Sequence, residues 1–444
     1  MTSHKHKVDE EMERSTQSKP LFADVGVIGL LPEAWGGPWM ARHQLMTRLA
    51  RYFHVLWVEP PEDWREWLPR GFARHHRTHM PEVGIPGFDW YQSGRWLPRI
   101  YRPRGVGKIL DRLRLATAKA MLRKRGCKKI IIYVWRPELG AALDLLDHDV
   151  SCYQIDDEYT FSDVEQPVNI KEMQLIRRVD QVILHSPALM EKKGRLNTST
   201  ILVPNGVDYA AYTRPQIEPV DLGSIPHPRI GYVGVIKKQL NFQLLITLAK
   251  RHPDWSFVFV GPIGFLGDNA LLLQQLQAMR NVFFLGPKSV NLLPAYTQHM
   301  DVCTLCYEIN DYTKFIYPLK LHEYLASGRP IVGVPIPSVI EFSRVIQVAE
   351  SSEEWSIAIH KALLPVASEP AAIRARRDIA RQHDWNQITR NIAEALCQQL
   401  GGEYCNQLAS LSAPDLQIQS KEAYARNNIG KTRSTTTAAH HAIE

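Results

Sequence analysis

Residues 317–334 read Tyr317-Pro318-Leu319-Lys320-Leu321-His322-Glu323-Tyr324-Leu325-Ala326-Ser327-Gly328-Arg329-Pro330-Ile331-Val332-Gly333-Val334. Proline suits the first turn of a helix, where its missing N–H costs nothing, so Pro318 is expected to start one. Gly328 closes that helix, Pro330 bars its continuation, and the apolar run that follows suits a buried strand. Helix, tight turn and strand in direct succession are the building unit of an α/β layer. Lys320 falls in the first turn, where its charge opposes the helix dipole; an anionic ligand explains that placement better than stability does. Glu323 lies three residues on, close to the same face, and can accept hydrogen bonds from two neighbouring hydroxyls such as those of a ribose.

The same alternation extends outward in both directions. On one side of this stretch, apolar runs at 229–233, 256–260, 282–285 and 302–305 are separated by helix-compatible sequence. Nearer the start, runs at 24–30, 54–58, 129–134, 151–155, 181–185 and 201–203 alternate with helical patterns at 39–52 and 106–125. Strands that are apolar throughout belong to parallel sheets covered on both faces, because a sheet with one wet face alternates in polarity. The expected fold class is therefore α/β, with two Rossmann-like domains. A chain of 444 residues is also too long for a single core. The boundaries read as a polar tail over 1–20, a first domain over 21–208 and a linker over 209–228. A second domain over 229–368, helices over 369–400 and a disordered polar tail over 401–444 follow. No short fixed repeat is present, which excludes solenoids and propellers.

Apolar residues make up 45% and charged residues 22%, the composition of a folded globular chain. Six scattered cysteines, a polar start and no run of roughly 18 apolar residues lead us to expect a cytoplasmic protein with free thiols. The net charge of +7 is unevenly placed: residues 65–129 hold 17 Lys or Arg against 4 Asp or Glu, interleaved with Trp67, Phe72, Trp90, Tyr91, Trp96 and Tyr101. Such a block fits an anionic membrane surface, with peripheral attachment to the inner face, or a phosphorylated acceptor; it equally fits a plain solvated face. Nucleic acid is not an expected partner.

Open parallel sheets bind ligands beyond the carboxyl ends of their strands, so the useful residues should follow strands. Gly36 and Gly37 lie between the first strand and its helix, where the backbone can approach a ligand or simply turn. Gly234, Lys237 and Lys238 follow the strand at 229–233, and the lysines can neutralise charge on a diphosphate or serve as surface cations. Asp157, in Tyr153-Gln154-Ile155-Asp156-Asp157-Glu158-Tyr159, follows another strand and can orient or deprotonate a hydroxyl, or solvate its loop. Cys303 and Cys306 have metal-like spacing without a second pair, and no metal site is expected. His43 and His185 read as packed histidines.

The string PLKLHEYLASGRPIV resembles the donor-binding motif of glycosyltransferases with the GT-B fold, above all family 4, also called group 1. The loop Gly36-Gly37, the segment Val203-Pro204-Asn205-Gly206-Val207-Asp208 and the stretch Gly231–Gly234 fit the same family in order, and the likeness spans about 25–400. The resemblance implies two Rossmann-like domains facing across a cleft, with the C-terminal helix crossing back to the first. It also implies that Glu323 holds the nucleotide ribose and that Pro318, Leu319, Lys320 and Leu321 receive the diphosphate. In the same scheme Lys238 is the basic residue after the second domain's first strand, Gly36-Gly37 faces the donor, and Asp157 is near the acceptor. Donor-binding residues are then Gly36, Gly37, Gly234, Lys237, Lys238, Pro318, Leu319, Lys320, Leu321 and Glu323, and the catalytic ones Lys238, Lys320 and Asp157. Family members commonly carry a further glutamate eight positions before the ribose glutamate, near the transferred sugar; here that position is Phe315, and Glu308 and Asp311 are off register.

The function implied is transfer of a hexose-type sugar, with retention, from a nucleotide-diphosphate sugar co-substrate to a saccharide or lipid-linked acceptor, as in polysaccharide biosynthesis. Neither cofactor nor metal is required by that scheme. An epimerase acting on a nucleotide sugar, or a catalytically silent nucleotide-sugar-binding protein, uses the same fold. A nicotinamide dehydrogenase is disfavoured, since no Gly-x-Gly-x-x-Gly follows the first strand.

Overall fold

The computed structural model describes residues 19–37, 39–62, 84–94, 97–100, 102 and 104–410. Much of the basic block, including 65–83, Arg95, Trp96 and Tyr101, lies outside the described residues, as do 1–18 and 411–444 of the expected tails.

The strands are β1 (Phe22–Leu30), β2 (Phe53–Val58), β3 (Phe88–Tyr91), β4 (Lys129–Val134), β5 (Val150–Ile155), β6 (Gln181–Leu184) and β7 (Thr200–Leu202), in one sheet of order β3-β2-β1-β4-β5-β6-β7. A second sheet joins β8 (Arg229–Val233), β9 (Ser256–Val260), β10 (Val282–Phe284), β11 (Val302–Leu305), β12 (Ile331–Gly333) and β13 (Gln347–Val348) in the order β10-β9-β8-β11-β12-β13. Both are parallel sheets, as the unbroken apolar runs require. In register, Val27 faces Ile131 across β1 and β4, and Val233 faces Val260 across β8 and β9. All the residues of β4 from Ile130 on, and all of β8 and β9, are buried, so helices cover both faces.

The chain divides into two compact units. One comprises the described residues up to Gln154, Arg178–Gln181 and those from Thr389 on; the other comprises Ile155–Arg177 and Val182–Ile388. The helix Trp385–Leu400 thus contributes its later residues to the first unit. The second unit's core is continuous through β8, β9, β11 and β12, with Val258, Val302, Leu305, Val332 and Trp355 fully buried. Strand order reverses at β1 and again at β8, and at such a reversal the loops leaving the carboxyl ends of neighbouring strands splay apart and leave room for a ligand.

Three expectations need correction. The basic segment contains a strand, β3, where the sequence predicts none: it is an edge strand, only Phe88 is buried, and so it lacks the unbroken apolar run of its neighbours. Residues 401–410 are ordered, not a disordered tail. The helix Gly402–Ala409 buries Tyr404 and Leu408, Tyr404 packs on Phe22 with ring centroids 5.5 Å apart, and its hydroxyl donates to Asp24 Oδ2 at 3.1 Å. Two anchors four residues apart hold a polar helix whose composition alone suggests no structure. Last, Pro318 caps its helix instead of opening it: its backbone is extended (φ −67°, ψ 127°), and the helix runs Leu319–Ser327.

Candidate active site

The second unit's site begins where β8 ends. Gly234 (φ +151°) donates its N–H to Val260 O at 2.8 Å. A Cβ on Gly261 (φ +146°) would sit 2.2 Å from Gly234 O, so the two strand exits touch backbone to backbone and glycine is required. A Cβ on Gly234 would come 2.7 Å from Lys320 Cε, which places the Lys320 side chain directly over the exit of β8.

Lys320 arrives there from the first turn of Leu319–Ser327. Leu321 N–H bonds back to Pro318 O at 3.1 Å, and the Leu319 and Lys320 amides precede that bond at the helix's positive end. Lys320 Nζ donates to Tyr307 Oη at 3.0 Å and lies 4.8 Å from the centre of the Tyr232 ring and 5.5 Å from that of Tyr307. Two aromatic faces and a hydroxyl thus steady the ammonium without neutralising it. Glu323 lies one turn on; burial pushes its carboxyl up, opposed by the Lys320 charge and the Tyr212 hydroxyl. The helix is pinned to β8 by Val233 N–H donating to Tyr324 Oη at 2.8 Å, and its approach is fixed by Asn205 Nδ2 donating to Tyr317 O at 2.7 Å. His322 is buried against Tyr317 Oη (2.8 Å) and stacked on His383 at 3.8 Å; burial keeps it neutral and confines it to packing.

Asp157 joins the same group of charges. Burial raises its carboxyl to about 6, and the neighbouring Asp156 adds to the rise. Tyr312 Oη, donating to Oδ2 at 3.0 Å, the Glu158 N–H, donating to Oδ1 at 2.8 Å, and the Lys237 charge all oppose it. Lys237 is itself held below the usual lysine range by burial and by Lys320, with Asp157 acting the other way. Neither Lys237 nor Lys320 makes an ion pair among the described residues, whereas Lys238 faces Asp163 at 3.7 Å. The structure therefore gathers Asp157, Lys237, Lys320, Glu323 and Gly234, and turns Lys238 toward Asp163. A surplus of half-buried positive charge beside a helix N-terminus suits a polyanionic group.

Phe315 is buried between two cations: Lys192 Nζ is 4.9 Å and Lys314 Nζ 5.2 Å from its ring centre. Those lysines are bridged by acids, Lys192 to Glu158 at 3.3 Å and Lys314 to Asp311 at 3.2 Å. Behind them Lys193, fully buried, contacts Glu172 at 2.8 Å and Glu158 at 3.3 Å. The off-register Asp311 thus serves this network.

In the first unit Gly36 and Gly37 form an exposed turn after β1, closed by Gly37 N–H to Ala34 O at 3.0 Å. Trp35 N–H donates to Glu59 Oε1 at 2.8 Å. His43 is a packed histidine: burial lowers it to about 4, its Nδ1 accepts from Met40 N–H at 3.2 Å and its Nε2 lies 3.2 Å from Trp35 O. His185 is likewise buried against Ile155 O at 3.1 Å. All six cysteines are free, and burial pushes the Cys306 thiol up to about 11. Tyr307, Tyr312, Tyr232 and Tyr212 escaped the sequence reading: tyrosines carry no spacing signal, although Tyr232 stood inside the stretch after Gly231.

Two parallel sheets, each reversing its strand order at the strand that feeds a glycine turn, are the architecture of GT-B glycosyltransferases, and the lysine-lined exit of β8 lies in the half that carries the donor-type motif. Residues 227–364 match the family model described as glycosyl transferases group 1. TuaH of Bacillus subtilis, named as a glycosyltransferase of teichuronic acid biosynthesis, is 32% identical over 234 residues, 50% of this chain and 57% of TuaH. The chain thus spans little more than half the length of that relative. HepE of Anabaena, solved in complex with UDP-glucose, superposes with a TM-score of 0.59 at 17% identity over 84% of this chain and 99% of its own. The E. coli trehalose-6-phosphate structure bound with UDP-2-fluoro glucose gives 0.60 at 11% identity over 84% and 98%. At such identities the likeness is one of fold. No helix among the described residues is long and apolar enough to cross a membrane.

Proposed function

We propose that the protein is a glycosyltransferase that moves a hexose-type sugar from a nucleotide-diphosphate sugar to a saccharide or lipid-linked acceptor. The observation that carries this reading is the pair of half-buried ammonium groups, Lys237 and Lys320, set at the helix N-terminus of Leu319–Ser327 with Glu323 one turn away. Lys320 and the opening amides of the helix receive the diphosphate, and they stabilise the charge that builds on it as the glycosidic C–O bond breaks. Glu323 accepts from the ribose hydroxyls. Asp157, with its carboxyl near 6, is ionised at neutral pH and orients the acceptor hydroxyl or takes its proton. Retention of configuration is the outcome that family likeness supports. Lys238 serves in this scheme as a flanking cation whose contact with Asp163 frames the site. No metal or cofactor enters these steps. An anionic membrane surface contacting the basic residues of 65–129 is the partner that a lipid-linked acceptor calls for.

One observation favours a second reading: Phe315, clasped by Lys192 and Lys314, occupies the position where members of the family that the motif resembles commonly carry a glutamate, which suits a nucleotide-sugar-binding protein without turnover. A screen of nucleotide sugars for thermal stabilisation and slow hydrolysis, repeated with Glu323→Ala, decides. Stabilisation with hydrolysis, both lost in the variant, supports the transferase; stabilisation without turnover across a broad acceptor panel supports the binding protein. If no nucleotide sugar stabilises the chain, both readings are wrong.

A further inference from the structure

The helix Arg104–Lys124 buries one side against the first unit, through Arg114, Leu115, Ala118 and Leu122. Gly107 lies on that same side, where a Cβ would meet Ile100 O at 2.4 Å. Its outward side is not the polar surface that a solvated helix presents. Val106 is 41%, Ile109 62% and Leu113 49% exposed, and at helical spacing they form one stripe, continued by Ala116 and Ala120. Along one flank of the stripe stand Lys108, Arg112, Lys119 and Arg123. Lys119 and Arg123 bond backbone carbonyls (Lys119 to Asp147 O at 2.7 Å, Arg123 to Cys127 O at 3.0 Å), and Lys108 and Arg123 feel Asp144 and Asp149 without bridging to them. Among the described residues none of the four makes an ion pair, while the helix's one acid, Asp111, is taken by Arg114.

We propose that this face of the helix docks the protein in the plane of an anionic phospholipid bilayer, the stripe entering the acyl boundary and the basic flank meeting the headgroups. A protein partner with an apolar groove would match the stripe, but the unbridged cations along its edge select a surface that is apolar within and negative at its rim, which is what such a leaflet offers. The inference rests on the membrane partner proposed above and gives that partner a contact surface.

The test is co-sedimentation of the full chain with phosphatidylcholine vesicles, with and without phosphatidylglycerol, alongside donor binding read by thermal shift. Wild type should bind only the anionic vesicles. Ile109→Ser with Leu113→Ser, and separately Lys108→Glu with Arg112→Glu, should each lower binding by about tenfold or more, with melting temperature and donor binding unchanged. The proposal is overturned if wild type ignores anionic vesicles or if the serine pair binds them as well as wild type. It is equally overturned if the serine pair instead changes the oligomeric state, which would make the stripe a contact between copies. Donor binding that persists in any of these cases leaves the transferase reading intact, whereas its loss in wild type removes that reading alone.

Discussion

Lys320 Nζ and Tyr307 Oη are 3.0 Å apart, and that contact sets the ammonium over the exit of β8 where only the missing side chain of Gly234 leaves it room. The pocket depends on space at one residue and a hydroxyl at another. Gly234→Ala should therefore displace Lys320 and strain a backbone at φ +151°, lowering affinity for a nucleotide sugar by about tenfold or more, as expected for loss of a charged hydrogen bond. Tyr307→Phe should lower it less, since both ring faces remain. Calorimetric titration of both variants checks the order.

The pH dependence of transfer should carry the signature of Asp157. Its carboxyl titrates at about 6, so the rate should fall as pH drops through that value. The Tyr312 hydroxyl lowers this pKa, and Tyr312→Phe should move the acidic limb upward. A limb that stays in place would remove Asp157 from the role of base.

Asp157→Asn should lower turnover by about 100-fold or more yet leave the fold at least as stable at neutral pH. Folding raises this carboxyl above its ordinary 3.8, so the ionised group costs stability in full above about 6, and the cost vanishes as pH falls below the ordinary value. Thermal melts at neutral and acid pH should show the variant's advantage only at the higher pH.

Lys193 is fully buried between Glu172 and Glu158, each only 2% exposed at the side chain. Lys193→Met removes the fully buried cation that faces both carboxylates, leaving Glu158 to Lys192 at 3.3 Å, and should cost about 3–5 kcal/mol of stability. Adding Glu158→Gln and Glu172→Gln should restore much of it. Denaturant unfolding of the single and triple variants measures both effects.

Much of this architecture is legible in the sequence because buried parallel strands write themselves as unbroken apolar runs: β4, β8, β9 and β11 stand where those runs begin and end. Edge strands such as β3, apolar only at Phe88, write no such signal, and neither does a polar helix anchored by Tyr404 and Leu408. The site is readable to the extent that it sits on chain-local features. Gly234, Lys320 and Glu323 follow from strand exit and helix phase. The parts assembled across long sequence distances are not readable: Asp157 meets Tyr312, and Lys237 feels Asp157 and Lys320, only once the chain has folded. Choosing between Lys237 and Lys238 needs side-chain direction, which a sequence of two adjacent lysines does not encode.

The most direct measurement is a comparison of nucleoside diphosphates with the corresponding monophosphates by calorimetric titration, in the wild-type chain and in Lys320→Met with Lys237→Met. If the two ammonium groups and the helix end grip a diphosphate, the diphosphate of at least one base binds much more tightly than its monophosphate, and the difference collapses in the double variant. Equal binding of the two in wild type, or a difference that survives loss of both lysines, contradicts the account.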